Sequence, residues 1–185
     1  MNRSEVRTAG RSARHALQGP ARAQAEAQLV HHLDSLTALR SGAVGAFVAH
    51  DGEPDLQPVV SRLWDQGRTV ALPVLRDDPD DFSMRFLPWE PNAPLMPGRY
   101  GIEVPRDAPA IVPATLLVSL TGFDPRGNRI GRGAGFFDRY LASYSGTVVG
   151  VGFEVQRFAA IPTEAHDEPL SALVTDLGVR FFGRR

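Results

Sequence analysis

Short apolar runs that alternate with helix-patterned stretches predict an α/β protein. The expected fold is a three-layer, Rossmann-like sandwich, a mostly parallel sheet with helices on both faces. Two further observations support that class. The runs are almost wholly apolar, as in Ala43-Val44-Gly45-Ala46-Phe47-Val48-Ala49, which suits strands covered on both sides. The 185 residues, 43% of them hydrophobic, can fill one core and fit two domains poorly, so one domain over residues 1–185 is expected.

Each element has its own signal. Residues 2–18 place Val6, Ala13 and Leu17 along one stripe of a helix, with Arg3, Arg7, Arg11 and Arg14 around it. Gly19-Pro20 breaks that helix and starts the next, which runs over 21–38 with Ala25, Leu29, Leu33 and Leu36 at helical spacing. A strand follows at 43–49. Residues 55–66 read as a helix through Val59, Val60, Leu63 and Trp64, with Gly67 as its C-cap. Thr69–Leu75 is a second buried strand, Asp77 to Asp80 a turn, and 82–87 an alternating strand. Residues 88–113 carry seven prolines and read as an irregular surface excursion. Strands at 115–120, 147–153, 172–175 and 179–182 and a helix at 134–143 complete the chain. Ligands of such sheets sit at the carboxyl ends of strands, which singles out the loops 49–55, 121–135 and 153–168.

Composition narrows the chemistry. There is no Cys, so disulfides, zinc-thiolate sites, iron–sulfur clusters and thiol nucleophiles are excluded. All 20 cations are Arg; without Lys there is no Schiff-base or P-loop lysine. The net charge of −1 argues against a nucleic-acid binder. No apolar run approaches the ~20 residues of a membrane span, and the N-terminus lacks the apolar core of a signal peptide. A soluble cytoplasmic protein is expected, free of membrane and nucleic-acid partners.

The most informative stretch is Thr121-Gly-Phe-Asp-Pro-Arg-Gly-Asn-Arg-Ile-Gly-Arg-Gly-Ala-Gly-Phe-Phe-Asp-Arg-Tyr140. Gly131, Gly133 and Gly135 let a backbone approach a bulky anion, and Arg129 and Arg132 add charge. These are the parts of a phosphate cradle; three glycines alone are equally a strand-to-helix turn. Neither a Walker loop nor a dinucleotide fingerprint fits. Asp138 just beyond is a candidate Mg2+ ligand or a helix-start charge. Ile161-Pro-Thr-Glu-Ala-His-Asp167 offers Glu164 and Asp167 as further ligands or as surface turn acids.

The block GFDPRGNRIGRGAGFFDRYL resembles the signature of the 5-formyltetrahydrofolate cyclo-ligase family, also called methenyltetrahydrofolate synthetases. Three more stretches agree in order: Phe47–Asp55, Thr69–Leu75 and Ile161–Asp167. The resemblance implies ATP- and Mg2+-dependent conversion of 5-formyltetrahydrofolate to 5,10-methenyltetrahydrofolate. It implies that Arg3, Arg7 and the stretch Arg129, Ile130, Gly131, Arg132, Gly133, Ala134, Gly135, Phe136 and Phe137 meet ATP, with Arg129 and Arg132 as the catalytic cations. Folate would meet Val48, Glu53 and Arg132 through Phe136, with Tyr100 where the family places an aromatic near folate. Asp138 and Asp167 match the magnesium carboxylates and are expected to share one cation. Glu53 is expected to recognise folate and not ATP; the bland reading of Asp-Gly-Glu-Pro-Asp is a solvated turn. A monomer is expected. The sequence departs from the family at Arg3, where lysine is usual, at Phe136-Phe137, which lacks the usual tyrosine, and at Ala134, Val104 and Ser119. A non-catalytic folate- or nucleotide-binding paralogue is the alternative; another phosphate-handling α/β enzyme would leave Glu53 unexplained.

Overall fold

The computed structural model describes residues 1–76, 78 and 80–183. Helix α1 spans Arg3–Ala16 and begins at a capping box: the Asn2 side chain accepts from the Glu5 amide, and the Glu5 carboxylate accepts from the Asn2 amide. Helix α2 spans Gly19–Asp34 and α3 spans Gln57–Asp65, each with Pro in its first turn. Gly67 ends α3 at positive φ, as expected for a C-cap, its N–H donating to the Trp64 carbonyl.

The strands are β1 Val44–Gly45, β2 Val70–Leu75, β3 Met84–Trp89, β4 Met96–Pro97, β5 Glu103–Val104, β6 Thr115–Ser119, β7 Gly122–Phe123, β8 Arg129–Ile130, β9 Thr147–Val151, β10 Ala172–Thr175 and β11 Gly178–Phe181. Helix α4, Phe136–Leu141, follows the glycine-rich loop. Seven strands form one sheet in the order β11-β10-β9-β6-β1-β2-β3. Neighbours from β10 through β2 are parallel, and the edge strands β11 and β3 pair antiparallel. The mostly parallel α/β class is as the sequence predicts. On one face α2 and α3 bury Leu29, Leu33, Val59 and Leu63; on the other α4 buries Phe136 and Leu141 against Phe86, Leu116 and Val118.

Three expectations need correction. The strand expected over 43–49 pairs only at Val44 and Gly45, and the Ala46 N–H adds one last bond to Ala71 O. Beyond it Phe47 and Val48 line a cleft, so the ladder ends where the cleft begins. The buried residues of α1 are Val6, Gly10 and Arg14, not Val6, Ala13 and Leu17. Strand β3 runs on through Pro88 to Trp89, which an edge strand permits because proline's missing donor can face outward. Residues 88–113 hold the two-residue pair β4–β5 and a 3-10 turn at Arg99–Gly101. The turn expected at Asp77 to Asp80 includes Asp77 and Pro79, which lie outside the described residues.

At the amino edge of the sheet Trp64 and Trp89 pack edge to face, ring centroids 4.8 Å apart. Trp64 donates to the Trp89 carbonyl and Trp89 to that of Ala93, so both indole N–H groups are satisfied.

Helix α1 lies so close to the start of the glycine-rich segment that a Cβ on Gly10 would overlap the Thr121 carbonyl oxygen. At an open helical site Gly→Ala stabilises by about 1 kcal/mol. Here the sign reverses: Gly10→Ala is expected to destabilise by about 1–3 kcal/mol, because backbone must move to admit the methyl. Urea unfolding midpoints check this; a stabilised variant would contradict the contact.

Candidate active site

A cleft of about 810 Å³ opens at the carboxyl ends of the central strands. Its walls come from α1, from the loop after β1, and from the segment leading into α4. Arg3, Arg7, Arg11 and Arg14 stand at intervals that bring them to one face of α1, and all four line the cleft.

Three of those arginines tie the helix to three separate loops. Arg3 grips Asp167 through both terminal nitrogens, at 2.5 and 3.0 Å. Arg7 Nε donates to the Gly131 carbonyl at 3.1 Å. Arg14 donates from Nε to the Asp51 carbonyl and from Nη2 to the Asp51 carboxylate, both at 2.7 Å. The packing beneath is apolar: Val6 meets Ile130 and Ile161 in a small cluster of its own.

The glycine-rich segment is anchored before it reaches the cleft. Strands β7 and β8 form a hairpin closed by buried Asp124, which accepts from the amides of Arg126 and Asn128 and from the Asn128 side chain. The Thr121 hydroxyl bridges to the carbonyls of Ile130 and Gly131. Arg129, almost wholly buried, donates to Asp138 at 2.7 Å. Gly133 and Gly135 take positive φ of 113° and 71°, conformations that disfavour a side chain. A Cβ on Gly133 would also stand 3.2 Å from the Arg7 guanidinium, so glycine lets Arg7 approach the loop.

Opposite the loop sits Glu53. It is 3% exposed, so it is not a solvated turn residue. Arg132 reaches it with two hydrogen bonds, Nε to Oε1 at 3.0 Å and Nη2 to Oε2 at 2.7 Å. The His50 amide also donates to Oε2 at 3.2 Å. Arg22 of α2 clamps the loop from behind, donating to the carbonyls of Gly52 and Glu53 while its guanidinium lies 4.2 Å over Phe153.

The structure therefore gathers Arg3, Arg7, Val48, Glu53, Arg129 and the run from Gly131 to Asp138 around one cleft. Ile130, expected to meet ATP, is instead fully buried beneath the loop, outside the cleft lining, and its carbonyl accepts from the Thr121 amide and hydroxyl. Asp167 stands behind Arg3, while its neighbours Glu164 and His166 line the cleft. Asp138 and Asp167 each have an arginine of their own, Arg129 and Arg3. Tyr100 also lines the cleft, and its ring centroid is 6.2 Å from that of Phe136. Sequence reasoning passed over Arg22, Arg14 and Asp51 as site residues. The available signal for Arg14 was its spacing from Arg3 and Arg7; Asp51 resembled an ordinary turn acid.

Electrostatics follow from these pairs. Burial pushes the Asp51 carboxyl up, but the hydrogen bond from His15 and the charges of Arg14 and Arg11 outweigh it and hold the pKa at about 2. Burial likewise opposes ionisation of Asp167, and hydrogen bonds from Arg3 and the Glu164 amide prevail, so its pKa lies below the usual carboxylate value. Arg3 is raised in return, chiefly by its hydrogen bond to Asp167. For a divalent cation the donors are of the right kind. Ligand atoms of Glu164, His166 and Asp167 lie within 4.8 Å of one another, and Asp138 adds a carboxylate to the cleft. Hard carboxylate oxygens suit Mg2+.

A crevice at the carboxyl edge of a parallel sheet, lined with guanidinium groups and closed by a glycine-rich loop, defines an α/β enzyme with a cationic cleft. The sequence matches the model of the 5-formyltetrahydrofolate cyclo-ligase family over residues 1–176, and the chain belongs to that family of ligases. It is 36% identical over 143 residues to the 5-formyltetrahydrofolate cyclo-ligase of Escherichia coli (strain K12), covering 71% of this chain and 76% of that one. The Haemophilus influenzae cyclo-ligase is 31% identical over 177 residues, covering 91% and 94%. Among solved structures, the Aquifex aeolicus 5,10-methenyltetrahydrofolate synthetase superposes with a TM-score of 0.85 at 28% identity, covering 100% of this chain and 96% of that one. The Mycoplasma pneumoniae 5,10-methenyltetrahydrofolate synthetase shares the fold, with a TM-score of 0.76 at 18% identity over 95% and 99% of the two chains.

The Asp51 cluster carries a pH signature. Its folded pKa of about 2 lies below the ordinary carboxylate value of ~3.9, so its contribution is complete above that value. The contribution is lost as pH falls from ~4 toward ~2. Across that window the wild-type protein should lose stability more steeply than Asp51→Asn. Equal slopes in urea titrations at stepped pH would mean that the cluster adds nothing.

Proposed function

We propose that the cleft closes 5-formyltetrahydrofolate to 5,10-methenyltetrahydrofolate at the expense of ATP, with release of ADP and phosphate and with Mg2+ bound. The observation that carries this reading is the meeting of Glu53 and Arg132: a buried carboxylate suited to a folate ring faces the cationic loop suited to phosphates. Under this reading one domain acts as a monomer in the cytoplasm. Among the described residues no helix is long and apolar enough to cross a membrane.

The chemistry needs no protein nucleophile, in keeping with the absence of Cys and Lys. The formyl oxygen attacks the γ-phosphorus, and the bond from that phosphorus to the bridging oxygen of ADP breaks. The formyl carbon is then an imidate carrying phosphate. N10 attacks it, loses its proton, and the phosphate departs as the ring closes. Arg3, Arg7 and Arg129, with the backbone of Gly131 through Gly135, hold the triphosphate. Arg132 supplies charge where it develops on the transferred phosphoryl group. Glu53 accepts from the paired N–H donors of the pterin edge, with Val48 and Phe136 as apolar walls. Asp138 and Asp167 would hold Mg2+, which supplies positive charge to the phosphates when bound.

Because Arg132 now spends two donors on Glu53, folate must displace it, and the freed guanidinium becomes available to phosphate. Both substrates thus use one ion pair. Arg132→Ala is expected to lower kcat by about 10²-fold or more in a coupled assay that follows the methenyl product by absorbance. In that assay the wild-type signal should appear only with ATP and Mg2+ together. Binding of both ligands without product would favour a non-catalytic binding protein. Glu53→Gln should weaken folate binding by roughly 1–3 kcal/mol and leave ATP binding alone unchanged. Loss of ATP affinity with folate affinity intact would reverse the assignment, and silence in both titrations would make Glu53 a structural residue.

A further inference from the structure

Arg14 is more deeply buried than the other arginines on its face of α1. Its side chain is 1% exposed, against 19% for Arg3 and 57% for Arg11. Two of its nitrogens are spent on Asp51, while Nη1 is buried and has no hydrogen-bond partner among the described residues. The other such atoms are Nε of Arg68, whose side chain binds the carbonyls of Arg40 and Gly42, and Nε of Arg129 in the loop already assigned to phosphate. Arg14 instead lines the cleft near Glu53, where the carboxylate of Glu53 and the guanidinium of Arg132 both act on its charge. A buried cationic donor left open beside a ligand cleft is a site waiting for an acceptor.

The acceptor follows from what Glu53 takes. A 2-amino-4-oxopyrimidine edge presents two adjacent N–H donors, and next to them one carbonyl oxygen. A carboxylate satisfies the donors; a neighbouring guanidinium satisfies the carbonyl. Arg132 is half-exposed, flanked by Gly131 and Gly133, and its present bonds are those that the incoming donors replace. Arg14 is held by Asp51 whether or not Glu53 is occupied. Departure of Arg132 from Glu53 also uncovers the space next to it. We propose that Arg14 is a substrate-contacting, specificity-determining residue whose Nη1 donates to the 4-oxo group of the pterin ring held by Glu53. This rests on the folate reading of the cleft given above.

Arg14 also steadies the loop that carries Glu53, so loss of folate affinity alone would not separate contact from scaffolding. The preference for a 4-oxo over a 4-amino ring does. Calorimetric titrations of the full-length protein use 5-formyltetrahydrofolate and its 4-amino-4-deoxy analogue, against wild type, Arg14→Met and Asp51→Asn. The wild type should prefer the 4-oxo ligand, and Arg14→Met should reduce that preference by about tenfold or more. Asp51→Asn, which loosens the loop and keeps the donor, should weaken both ligands by the same factor. ATP titrations should be alike in all three proteins. A preference that survives Arg14→Met unchanged makes Arg14 a scaffold only and overturns the proposal. If Arg14→Met does not fold, the same ratio measured on Arg14→Gln decides between contact and scaffold. A wild-type protein that binds neither folate ligand rejects the folate reading itself, an outcome distinct from a preserved ratio.

Discussion

Three loops of the cleft are referred to the arginine face of α1. Arg3 fixes the loop of Asp167, Arg7 the carbonyl of Gly131, and Arg14 the turn of Asp51. These partners lie 164, 124 and 37 residues away in sequence, so nothing local would hold them in register. Close approach is possible because Gly10 has no side chain to keep the helix off Thr121, and because Val6 seals the contact against Ile130 and Ile161. The capping box at Asn2 matters for the same reason. Fraying of the first turn would release Arg3 and Asp167 together.

Four acids around the cleft each have a cationic partner. Glu53 has Arg132, Asp138 has Arg129, Asp167 has Arg3, and Asp51 has Arg14 with Arg11 and His15. A cleft built this way is neutralised before ligand arrives. Pairing of this kind limits the desolvation cost that isolated groups would carry. Exclusive use of arginine suits the scheme, since a planar fork can hold a carboxylate by two bonds and remain charged when buried.

Much of the sheet was legible because parallel strands covered on both faces are written as apolar runs; β2, β6, β9 and β10 fall where those runs lie. The glycine-rich loop was legible from its glycines and arginines, and the structure brings them to the cleft wall. What escaped was what depends on distant partners. A periodicity count treats Arg14 as polar and places the stripe on Ala13 and Leu17, yet Arg14 is buried because Asp51 receives it. Local pattern alone made Glu53 one acid in a turn of acids, and only the family resemblance singled it out; its burial and its pairing with Arg132, 79 residues on, are tertiary facts. The β4–β5 pair has no period of its own among its prolines, and β1 is short because the cleft begins where its apolar run would otherwise continue.

Both tryptophans of the chain, Trp64 and Trp89, pack edge to face against each other. Trp89 is paired with Val70, the first residue of β2, so the indoles sit at the end of the sheet opposite the arginine cleft. Their emission therefore reports whether the sheet and α3 are assembled and is set by contacts away from the cleft. Intrinsic fluorescence gives this protein an optical readout of folding that an adenine nucleotide, which does not absorb where indoles emit, leaves readable. The three tyrosines are Tyr100, Tyr140 and Tyr144, and Tyr100 lies in the cleft wall, so a signal of occupancy has to come from that side of the molecule.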